Sequence, residues 1–345
     1  MKILYSIQAT GNGHISRAKE IVPYLMQYGE VDCVLSGDNS QINTEDLPIK
    51  YRSKGLSFYY DNKGGIDYWK TIKKFNPIRI WKDAKNLPVE NYDIVINDFD
   101  SITALSCRLK KVGSVAIGNQ YSFLSNNIPR SKIGKFDTFI GELVLRNIAK
   151  ATRYIAFNYK EYDSFIYNPI IKKSIFNATP IEGDSILVYL PQYEDKHLID
   201  LFNKMPNTKF QIFSKNAKVS LDYGNVTLFS VNNVNLFDTF LINCKGVITA
   251  GGFQLTSEAL YLGKKLMVVP IKGQYEQLCN AEALREFGCC INYGLNDNLL
   301  LALYFSNLEK SPDKLLLKYS TNELVSIIVQ EAIYARHHTK ISSIL

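Results

Sequence analysis

The chain has 345 residues, and its 46% of hydrophobic and 21% of charged residues are ordinary for a globular protein of about two domains. This balance excludes a disordered chain, a collagen and a coiled coil, and no apolar run approaches the roughly 18 residues of a membrane-spanning helix. The net charge of +7 is uneven, because residues 1–160 carry 23 Lys and Arg against 15 Asp and Glu (+8), which leaves −1 for residues 161–345. The basic half predicts an anionic partner such as a lipid surface, and a solvated basic surface is the plain alternative.

Cysteine and histidine usage bears on the compartment and on metal binding. The six cysteines form no C-x-x-C pair, and the four histidines form no cluster with the spacing of metal ligands. The first strand pattern begins at Lys2 and leads directly into a glycine motif, so we interpret the N-terminus as part of the fold rather than as a signal peptide. We therefore expect a reduced, cytoplasmic protein with buried thiols and no bound metal.

Apolar strand patterns alternate with helical patterns in the first half of the chain. Such alternation predicts a parallel sheet with helices on both of its faces. The predicted strands are Lys2–Gln8, Val31–Ser36, Asp93–Asn97, Gly113–Ile117 and Arg153–Phe157, and the predicted helices include His14–Gln27 and Ser101–Arg108.

The same alternation restarts after residue 184. We therefore predict an α/β protein of two Rossmann-like domains, residues 1–165 and 175–325, whose parallel sheets face each other across a cleft. A ligand is then expected at the carboxyl ends of the strands. The predicted strands of the second domain are Ser185–Leu190, Lys209–Phe213, Val226–Phe229, Gly246–Thr249 and Lys265–Val269, and its predicted helices are Lys196–Lys204, Phe253–Leu262 and Tyr275–Phe287.

A glycine loop made of Gly11, Asn12 and Gly13 follows the first strand and opens a helix. Small residues at this point let backbone N–H groups approach a ligand, and the helix N-terminus favours an anion. The spacing of Gly11 and Gly13 also begins a dinucleotide fingerprint, but Ser16 stands where the third glycine belongs. A nicotinamide-dependent oxidoreductase is therefore a weak alternative.

His14 lies in the first turn of that helix, at the carboxyl edge of the first strand, where a neutral imidazole can act as a general base. Asp98 ends a strand at the same edge of the sheet and is expected to orient the imidazole. The plain alternatives are an exposed or helix-capping histidine, and an aspartate that caps the helix at Ser101–Arg108. Asp98 and Asp100 also form a D-x-D pattern, so a shared divalent cation is a further alternative.

A second glycine motif ends a predicted strand of the second half and leads into a helix. Gly251 and Gly252 free the backbone to approach a diphosphate, and the N–H groups after them lie at the positive end of the helix. Glu258 lies about a turn and a half into this helix. Glu276 and Gln277 begin the next predicted helix.

Residues 249–288 resemble the donor-binding motif of GT-B glycosyltransferases in the UDP-glycosyltransferase superfamily. The resemblance is closest to the branch that contains the lipid-linked peptidoglycan N-acetylglucosaminyltransferase, which has the glycosyltransferase family 28 C-terminal domain. The glycine loop, the histidine and the strand-end aspartate of the first half also occur in family order. Two positions depart from the pattern: Pro191 follows a strand where that branch has a glycine-rich loop, and Ala250 stands where plant-type relatives have a histidine.

The resemblance implies a GT-B fold, with the donor in the second domain and the acceptor in the first. It implies that Glu258 accepts hydrogen bonds from the ribose, and that Glu276 and Gln277 bind hydroxyls of the donor sugar. It also implies that residues 326–345 pack back on the first domain. The donor-binding residues on this basis are Gly251, Gly252, Phe253, Gln254, Leu255, Glu258, Glu276 and Gln277.

Aromatic residues between positions 59 and 69 are candidates for acceptor binding, because aromatic faces stack on sugars and line concave sites. A hydrophobic cluster under a loop is the plain alternative. The stretch Lys70–Lys85 interleaves basic and apolar residues, which predicts either a membrane-surface patch or a solvated face. No nucleic-acid-binding module is recognised, so we expect no nucleic acid partner. The acceptor candidates are Tyr59, Tyr60, Tyr68 and Trp69.

These observations predict an inverting, metal-independent glycosyltransferase that uses a nucleotide diphosphate sugar, expected to be a UDP-sugar. It would move a hexose or an N-acetylhexosamine to a hydroxyl of a glycan of the cell envelope, a glycolipid or a small molecule. His14, oriented by Asp98, is the expected base, and no cofactor is expected beyond this co-substrate. The alternatives are a nucleotide-sugar 2-epimerase of the same fold and a non-catalytic nucleotide-sugar-binding protein.

Overall fold

The computed structural model describes residues 1–9, 11–37, 43–55, 76–131, 141–143, 145–295 and 312–338, and it contains two seven-stranded sheets. Every strand pair is parallel except one antiparallel pair at an edge of the second sheet. Parallel neighbours need a long crossover connection, and helices supply most of these crossovers. The predicted α/β fold class with two parallel sheets is confirmed.

The first sheet lies in the N-terminal half of the chain. Its strands are β1 (Lys2–Gln8), β2 (Glu30–Ser36), β3 (Ile49–Ser53), β4 (Ile94–Asp98), β5 (Val115–Gly118), β6 (Arg153–Phe157) and β7 (Ile166–Tyr167). Its helices are α1 (Asn12–Leu25), α2 (Pro77–Asn86) and α3 (Ser101–Lys110). The strand order is β3-β2-β1-β4-β5-β6-β7, so β1 and β4 are neighbours at the centre of the sheet.

A linker with one short helix, α4 (Lys173–Phe176), leads to the second sheet. The strands of this sheet are β8 (Ser185–Tyr189), β9 (Lys209–Ser214), β10 (Leu221–Tyr223), β11 (Val226–Ser230), β12 (Gly246–Thr249), β13 (Lys265–Val268) and β14 (Cys290–Ile291). Its helices are α5 (Asp195–Phe202), α6 (Val234–Asn243), α7 (Phe253–Tyr261) and α8 (Tyr275–Arg285). The strand order is β10-β11-β9-β8-β12-β13-β14, and the chain ends with α9 (Thr321–His337).

Each predicted strand and helix is present, with bounds that differ by at most two residues from the prediction. Among the strands of the described residues, the sequence pattern misses those at the sheet edges, namely β3, β7, β10 and β14, and it also misses the helices α2, α4 and α6. An edge strand pairs on one side and can stay short and half-exposed, so it leaves no apolar run in the sequence. The hydropathy pattern therefore identifies the central strands of each sheet but not its edge strands.

The two halves of the molecule share a buried contact. Tyr159, which follows β6, places its ring 5.0 Å from the ring of Phe253 at the start of α7. Its hydroxyl lies 2.7 Å from the hydroxyl of Thr256, one turn further along the same helix. Because Tyr159 is buried, this contact joins the first domain directly to the helix that carries the second glycine motif.

The last helix follows the second sheet in sequence but contacts the first sheet. Helix α9 packs against α1, β4, β5 and β6. Arg153 of β6 forms an ion pair with Glu331 of α9 at 2.6 Å. Ser320 caps the helix in a capping box with Glu323, which satisfies backbone donors at its N-terminus.

Two further features agree with the composition. All six cysteines are free, and five are buried, as expected of core thiols. Burial raises the pKa of Cys107 to about 12, so this thiol is protonated at neutral pH. None of the helices in the described part of the chain has the length and hydropathy needed to cross a bilayer.

We expect Gly113→Ala to lower the free energy of unfolding by about 1–3 kcal/mol, the usual cost of overpacking. An added Cβ would lie 1.8 Å from the carbonyl oxygen of Ala335, so α9 would have to move away from the first sheet. Urea unfolding followed by circular dichroism measures the change. Gly294→Ala is the matched control, because no atom lies within 4 Å of its added Cβ. Equal stability of the two variants would contradict this packing of α9.

Candidate active site

The carboxyl ends of β1 and β4 lie side by side, and this brings the two predicted catalytic residues together. Ile7 of β1 is the register partner of Asp98 of β4. The chain leaves β1, and Gly11 forms the N-cap of α1, so His14 lies in the first turn of that helix. His14 Nδ1 is 2.8 Å from Asp98 Oδ1. The imidazole is 13% exposed and the carboxylate is fully buried, so the pair lies just below the surface of the cleft.

Asp98 does not cap the next helix, so that alternative is wrong. The N-cap of α3 is Asp100, whose carboxylate accepts hydrogen bonds from the backbone N–H groups of Ile102 at 3.2 Å and Thr103 at 2.8 Å. Between the two aspartates, Phe99 has a left-handed backbone with φ of 58°, which is uncommon for a bulky residue. This turn directs the carboxylates of Asp98 and Asp100 toward different hydrogen-bond partners.

The D-x-D pattern does not form a shared cation site within the described residues. The carboxylate of Asp100 is engaged by the helix it caps, and burial raises its pKa. The carboxylate of Asp98 is engaged by side chains of α1 and β1 instead. No group of three His, Cys, Asp or Glu side chains in the described ranges is arranged to hold a metal ion.

Arg17 is the main partner of Asp98, and the sequence analysis missed it. Its Nε lies 2.9 Å from Asp98 Oδ2 and its Nη2 lies 2.5 Å from Asp98 Oδ1, so the guanidinium binds both oxygens. The Tyr5 hydroxyl donates to Asp98 Oδ2 at 3.2 Å. Burial alone would raise the pKa of Asp98, but the charges of Arg17 and His14 outweigh it and hold that pKa at about 2. The carboxylate is therefore ionised at neutral pH.

The second glycine motif faces this cluster. Gly251 has a φ of 83°, and a Cβ there would lie 2.9 Å from a methyl group of Val268, so only glycine fits without strain. Gly252 is the N-cap of α7, and no atom of the described residues lies within 4 Å of a Cβ built on it. A Cβ on Gly13 would lie 3.5 Å from Gln254 Cβ. The first turns of α1 and α7 therefore lie next to each other.

Glu258 lies on α7 and is only 2% exposed, so it is not a solvent-exposed helical glutamate. It accepts a hydrogen bond from Gln254 Nε2 at 2.7 Å and lies 3.3 Å from the ammonium group of Lys172. Lys172 belongs to the linker and also pairs with Asp238 of α6. Burial raises the pKa of Glu258, and the nearby lysine acts against this rise.

Glu276 and Gln277 lie in the first turn of α8. The Gln277 Oε1 accepts a hydrogen bond from the backbone N–H of Ile271 at 3.0 Å, which holds the loop after β13. Both oxygens of Glu276 accept from Gln120 Nε2, at 3.2 and 3.1 Å. Burial raises the pKa of Glu276, against the opposing effect of His14. The predicted sugar-binding carboxylate thus lies within electrostatic reach of the predicted base.

Gln120 links the domains from the first-domain side. It follows β5 in a short 3-10 helix, Asn119–Leu124, and is 7% exposed. Its side-chain oxygen has no hydrogen-bond partner within the described residues, although its nitrogen holds Glu276. A buried amide with an unused acceptor beside a cleft is suited to receive a hydroxyl donor.

Three polar residues of this site come from the structure rather than from the sequence: Arg17, Gln120 and Lys172. Arg17 has a signal in the sequence, since it lies three residues after His14 on the same helix face. Nothing in the sequence marks the other two, because their partners lie far away along the chain. The aromatic acceptor candidates lie outside the described residues: Tyr59, Tyr60, Tyr68 and Trp69.

Comparison with known proteins agrees with this architecture. Residues 1–308 match the family model described as glycosyl transferase family 1. The solved structure of spinosyn rhamnosyltransferase SpnG is 15% identical, with a TM-score of 0.56 over 97% of this chain and 96% of that chain. The glycotransferase of kitacinnamycin is 11% identical, with a TM-score of 0.55 over 98% and 94%, and spinosyn forosaminyltransferase SpnP is 12% identical, with a TM-score of 0.55 over 97% and 99%. These similarities confirm the GT-B fold. A comparison with curated protein sequences found no match.

We expect Lys172→Met to lower the free energy of unfolding by about 3–5 kcal/mol, because it leaves two buried carboxylates without their cation. The side chains of Lys172, Asp238 and Glu258 are 12%, 10% and 2% exposed. Urea unfolding measures the loss. The matched control is Lys209→Met, whose ion pair with Asp184 is 72% and 73% exposed and should contribute at most about 1 kcal/mol. Equal losses in both variants would mean that the linker network is not a buried ion cluster.

Proposed function

Because this chain belongs to glycosyl transferase family 1 and is a glycosyltransferase, we propose that it transfers a hexose or an N-acetylhexosamine from a nucleotide diphosphate sugar to a hydroxyl group, with inversion and without a metal ion. The donor domain is residues 175–325 and the acceptor domain is residues 1–165. The observation that carries the proposal is the His14–Asp98 pair at 2.8 Å, which lies in the first turn of α1 and at the end of β4, beside the first turn of α7.

The His14 imidazole acts as the general base in this proposal. With the proton on Nδ1 donated to Asp98, the lone pair on Nε2 can accept the proton of the acceptor hydroxyl. The hydroxyl oxygen then forms the new bond to the anomeric carbon, while the bond from that carbon to the diphosphate oxygen breaks. Attack from the face opposite to the leaving group inverts the anomeric carbon. The ionised Asp98 stabilises the imidazolium that results.

The N-terminus of α7 stabilises the departing diphosphate. The backbone N–H groups at Gly252–Leu255 lie where the helix dipole is positive, and the bare glycine face lets a phosphate approach them. This arrangement supplies the charge stabilisation that a divalent cation would otherwise provide. Because it uses backbone groups, it needs no side chain at Ala250, where plant-type relatives have a histidine.

The proposed nucleotide is UDP. A cavity of about 580 Å³ opens at the carboxyl ends of β9 and β11 and is of a size typical for small-ligand sites. Its lining includes Ser230, Asn232 and Asn233, whose amide and hydroxyl groups suit a nucleobase. The ribose would add its hydroxyl donors to Glu258, and the sugar hydroxyls would reach Glu276. Gln277 acts in this proposal by holding the loop beside the sugar.

The proposed acceptor is a glycolipid or a cell-envelope glycan at the inner face of a membrane, in line with the narrower resemblance to the peptidoglycan branch. Helix α2 exposes Ile78 and Trp81, which are 68% and 47% exposed. Lys85 lies one turn further on the same face, with its ammonium group 5.0 Å from the Trp81 ring. Apolar side chains flanked by lysines suit the boundary of an anionic bilayer.

We expect UDP to bind in the presence of EDTA, and Glu258→Gln to weaken this binding about tenfold, because it removes a charge-assisted hydrogen bond. His14→Gln should bind UDP like the wild type, since it lies on the acceptor side. In the same His14→Gln variant, the rate of UDP release from UDP-N-acetylglucosamine should fall about 10²–10⁴-fold, the usual contribution of a general base. Calorimetry measures binding, and a coupled UDP assay with sugar and glycolipid acceptors measures transfer.

Other outcomes of these measurements separate the alternatives. Binding of UDP that requires a divalent ion would contradict the metal-free leaving-group site. Conversion of the UDP-sugar to its 2-epimer without any acceptor would favour the epimerase. Binding without turnover, unaffected by His14→Gln, would favour a non-catalytic nucleotide-sugar-binding protein. Full activity of His14→Gln would remove the proposed base.

We expect the double variant Ile78→Glu, Trp81→Glu to bind phosphatidylglycerol vesicles at least about 100-fold more weakly, because burial of each of the two large apolar side chains is worth about 1.5–3 kcal/mol and about 1.4 kcal/mol is a factor of ten. Vesicle sedimentation measures the bound fraction. Leu221→Glu is the matched control, since Leu221 is an apolar residue of similar exposure, 43%, on the second sheet. Equal binding of all three proteins, or equal binding to neutral phosphatidylcholine vesicles, would contradict the membrane contact.

A further inference from the structure

Two side chains compete for one nitrogen of His14. Its Nδ1 lies 2.8 Å from Asp98 Oδ1, a hydrogen-bond acceptor, and 2.9 Å from Arg17 Nη2, a donor that carries no lone pair. In a neutral imidazole this nitrogen either bears a proton or has a lone pair. With the proton it can donate to Asp98, and without it the nitrogen can accept from Arg17. The ring cannot satisfy both partners at the same time.

The outcome of this competition decides whether the ring can act as a base. A proton on Nδ1 leaves the lone pair on Nε2 free to take a proton from a substrate. A lone pair on Nδ1 puts the proton on Nε2, and the ring then has no basic nitrogen for the acceptor. The fully protonated ring has none either. The state that can take a proton from the substrate is therefore one of three protonation states of the ring, and the surrounding charges set its population.

Arg17 changes these charges because it already neutralises Asp98. The guanidinium binds both carboxylate oxygens, and both side chains are nearly inaccessible to solvent, 5% for Arg17 and 0% for Asp98. Low local polarity makes the Coulomb interactions of such a pair strong. A second proton on His14 therefore meets a neutral ion pair, not an unpaired aspartate.

The other titratable groups around the imidazole come from two neighbouring elements. Glu276 at the start of α8 interacts with His14 and Arg17 across the cleft and is itself engaged by Gln120. Tyr5 of β1 acts through Asp98, to which it donates a hydrogen bond. Glu276 is thus the nearest carboxylate that could favour the imidazolium once Asp98 is neutralised. The positive charge of the Arg17 guanidinium disfavours the imidazolium form of His14.

We propose that Arg17 is a positioning residue that keeps His14 neutral by compensating the charge of Asp98, so that the imidazole remains able to accept a proton at lower pH than an unscreened histidine–aspartate pair would allow. This inference rests on the proposed role of His14 as the base. In this arrangement Asp98 orients the ring and Arg17 limits how strongly the ring holds a proton. A base that is already protonated cannot assist the acceptor, so the pair with Asp98 alone would restrict the active pH range.

The test follows the ring of His14 by NMR, with 13C-labelled histidine and with the His14 signal assigned by its loss in His14→Gln. The midpoint of the wild-type ring is the reference for the variants. In Arg17→Gln, which can still donate a hydrogen bond to Asp98, the midpoint should rise by about 1–3 pH units, because the carboxylate charge is no longer compensated. The acidic limb of the pH profile of kcat/KM for UDP release should move to higher pH by the same amount.

Two further variants separate charge from packing. Arg17→Lys keeps the cation, so its titration midpoint should stay close to that of the wild type even if its rate falls. Lys19→Gln is the matched control, because it removes a positive charge from the same helix in an ion pair that is 29% and 59% exposed, and it should leave the midpoint unchanged. A purely structural role of Arg17 would lower kcat without moving the midpoint or the limb.

The inference and the proposed function fail in different ways. An unmoved midpoint in Arg17→Gln would overturn the role of Arg17. Full activity of His14→Gln would overturn the proposed base but would leave the titration result readable, since the NMR measurement needs no turnover. If Arg17→Gln does not fold, a midpoint that rises in Arg17→Lys, which keeps the cation, would still overturn the role of the charge.

Discussion

The candidate active site depends on one buried carboxylate. Asp98 ends a central strand, is fully buried, and could not stay ionised there without partners. Arg17 and His14 from α1 and Tyr5 from β1 supply these partners. The same contacts therefore stabilise the charge, fix the first turn of α1 against the sheet, and orient the imidazole. The arrangement of the candidate site and the local stability of α1 against the sheet are consequences of one electrostatic requirement.

The second domain is organised around a similar requirement. Glu258 is buried on α7, and Lys172 of the linker supplies its cation. Gln120 of the first domain donates a hydrogen bond to Glu276 of the second domain. Tyr159 of the first domain packs against Phe253 of α7. Polar and aromatic contacts thus join the domains beside the cleft. A donor that binds these carboxylates must replace or extend contacts that the protein already makes.

The solved structures that resemble this chain have a similar fold although their sequences differ at most positions. They share the GT-B arrangement with this chain over nearly its whole length at 11–15% identity. Layers of strands and helices tolerate extensive substitution as long as buried positions stay apolar, whereas acceptor and donor preference lie in side chains at the strand ends. The fold therefore says little about the sugar or the acceptor.

Local patterns in the sequence predict the central strands, most of the helices between them, the two glycine turns and the approach of His14 to Asp98. These follow from local patterns: apolar runs mark buried strands, and neighbouring parallel strands bring their carboxyl ends to one edge. Other features depend on the tertiary structure: Asp100 caps α3, Arg17 pairs with Asp98, and Lys172 pairs with Glu258. The edge strands belong to the same group. Such features depend on which distant segments meet in space, and neither hydropathy nor spacing along the chain carries that information.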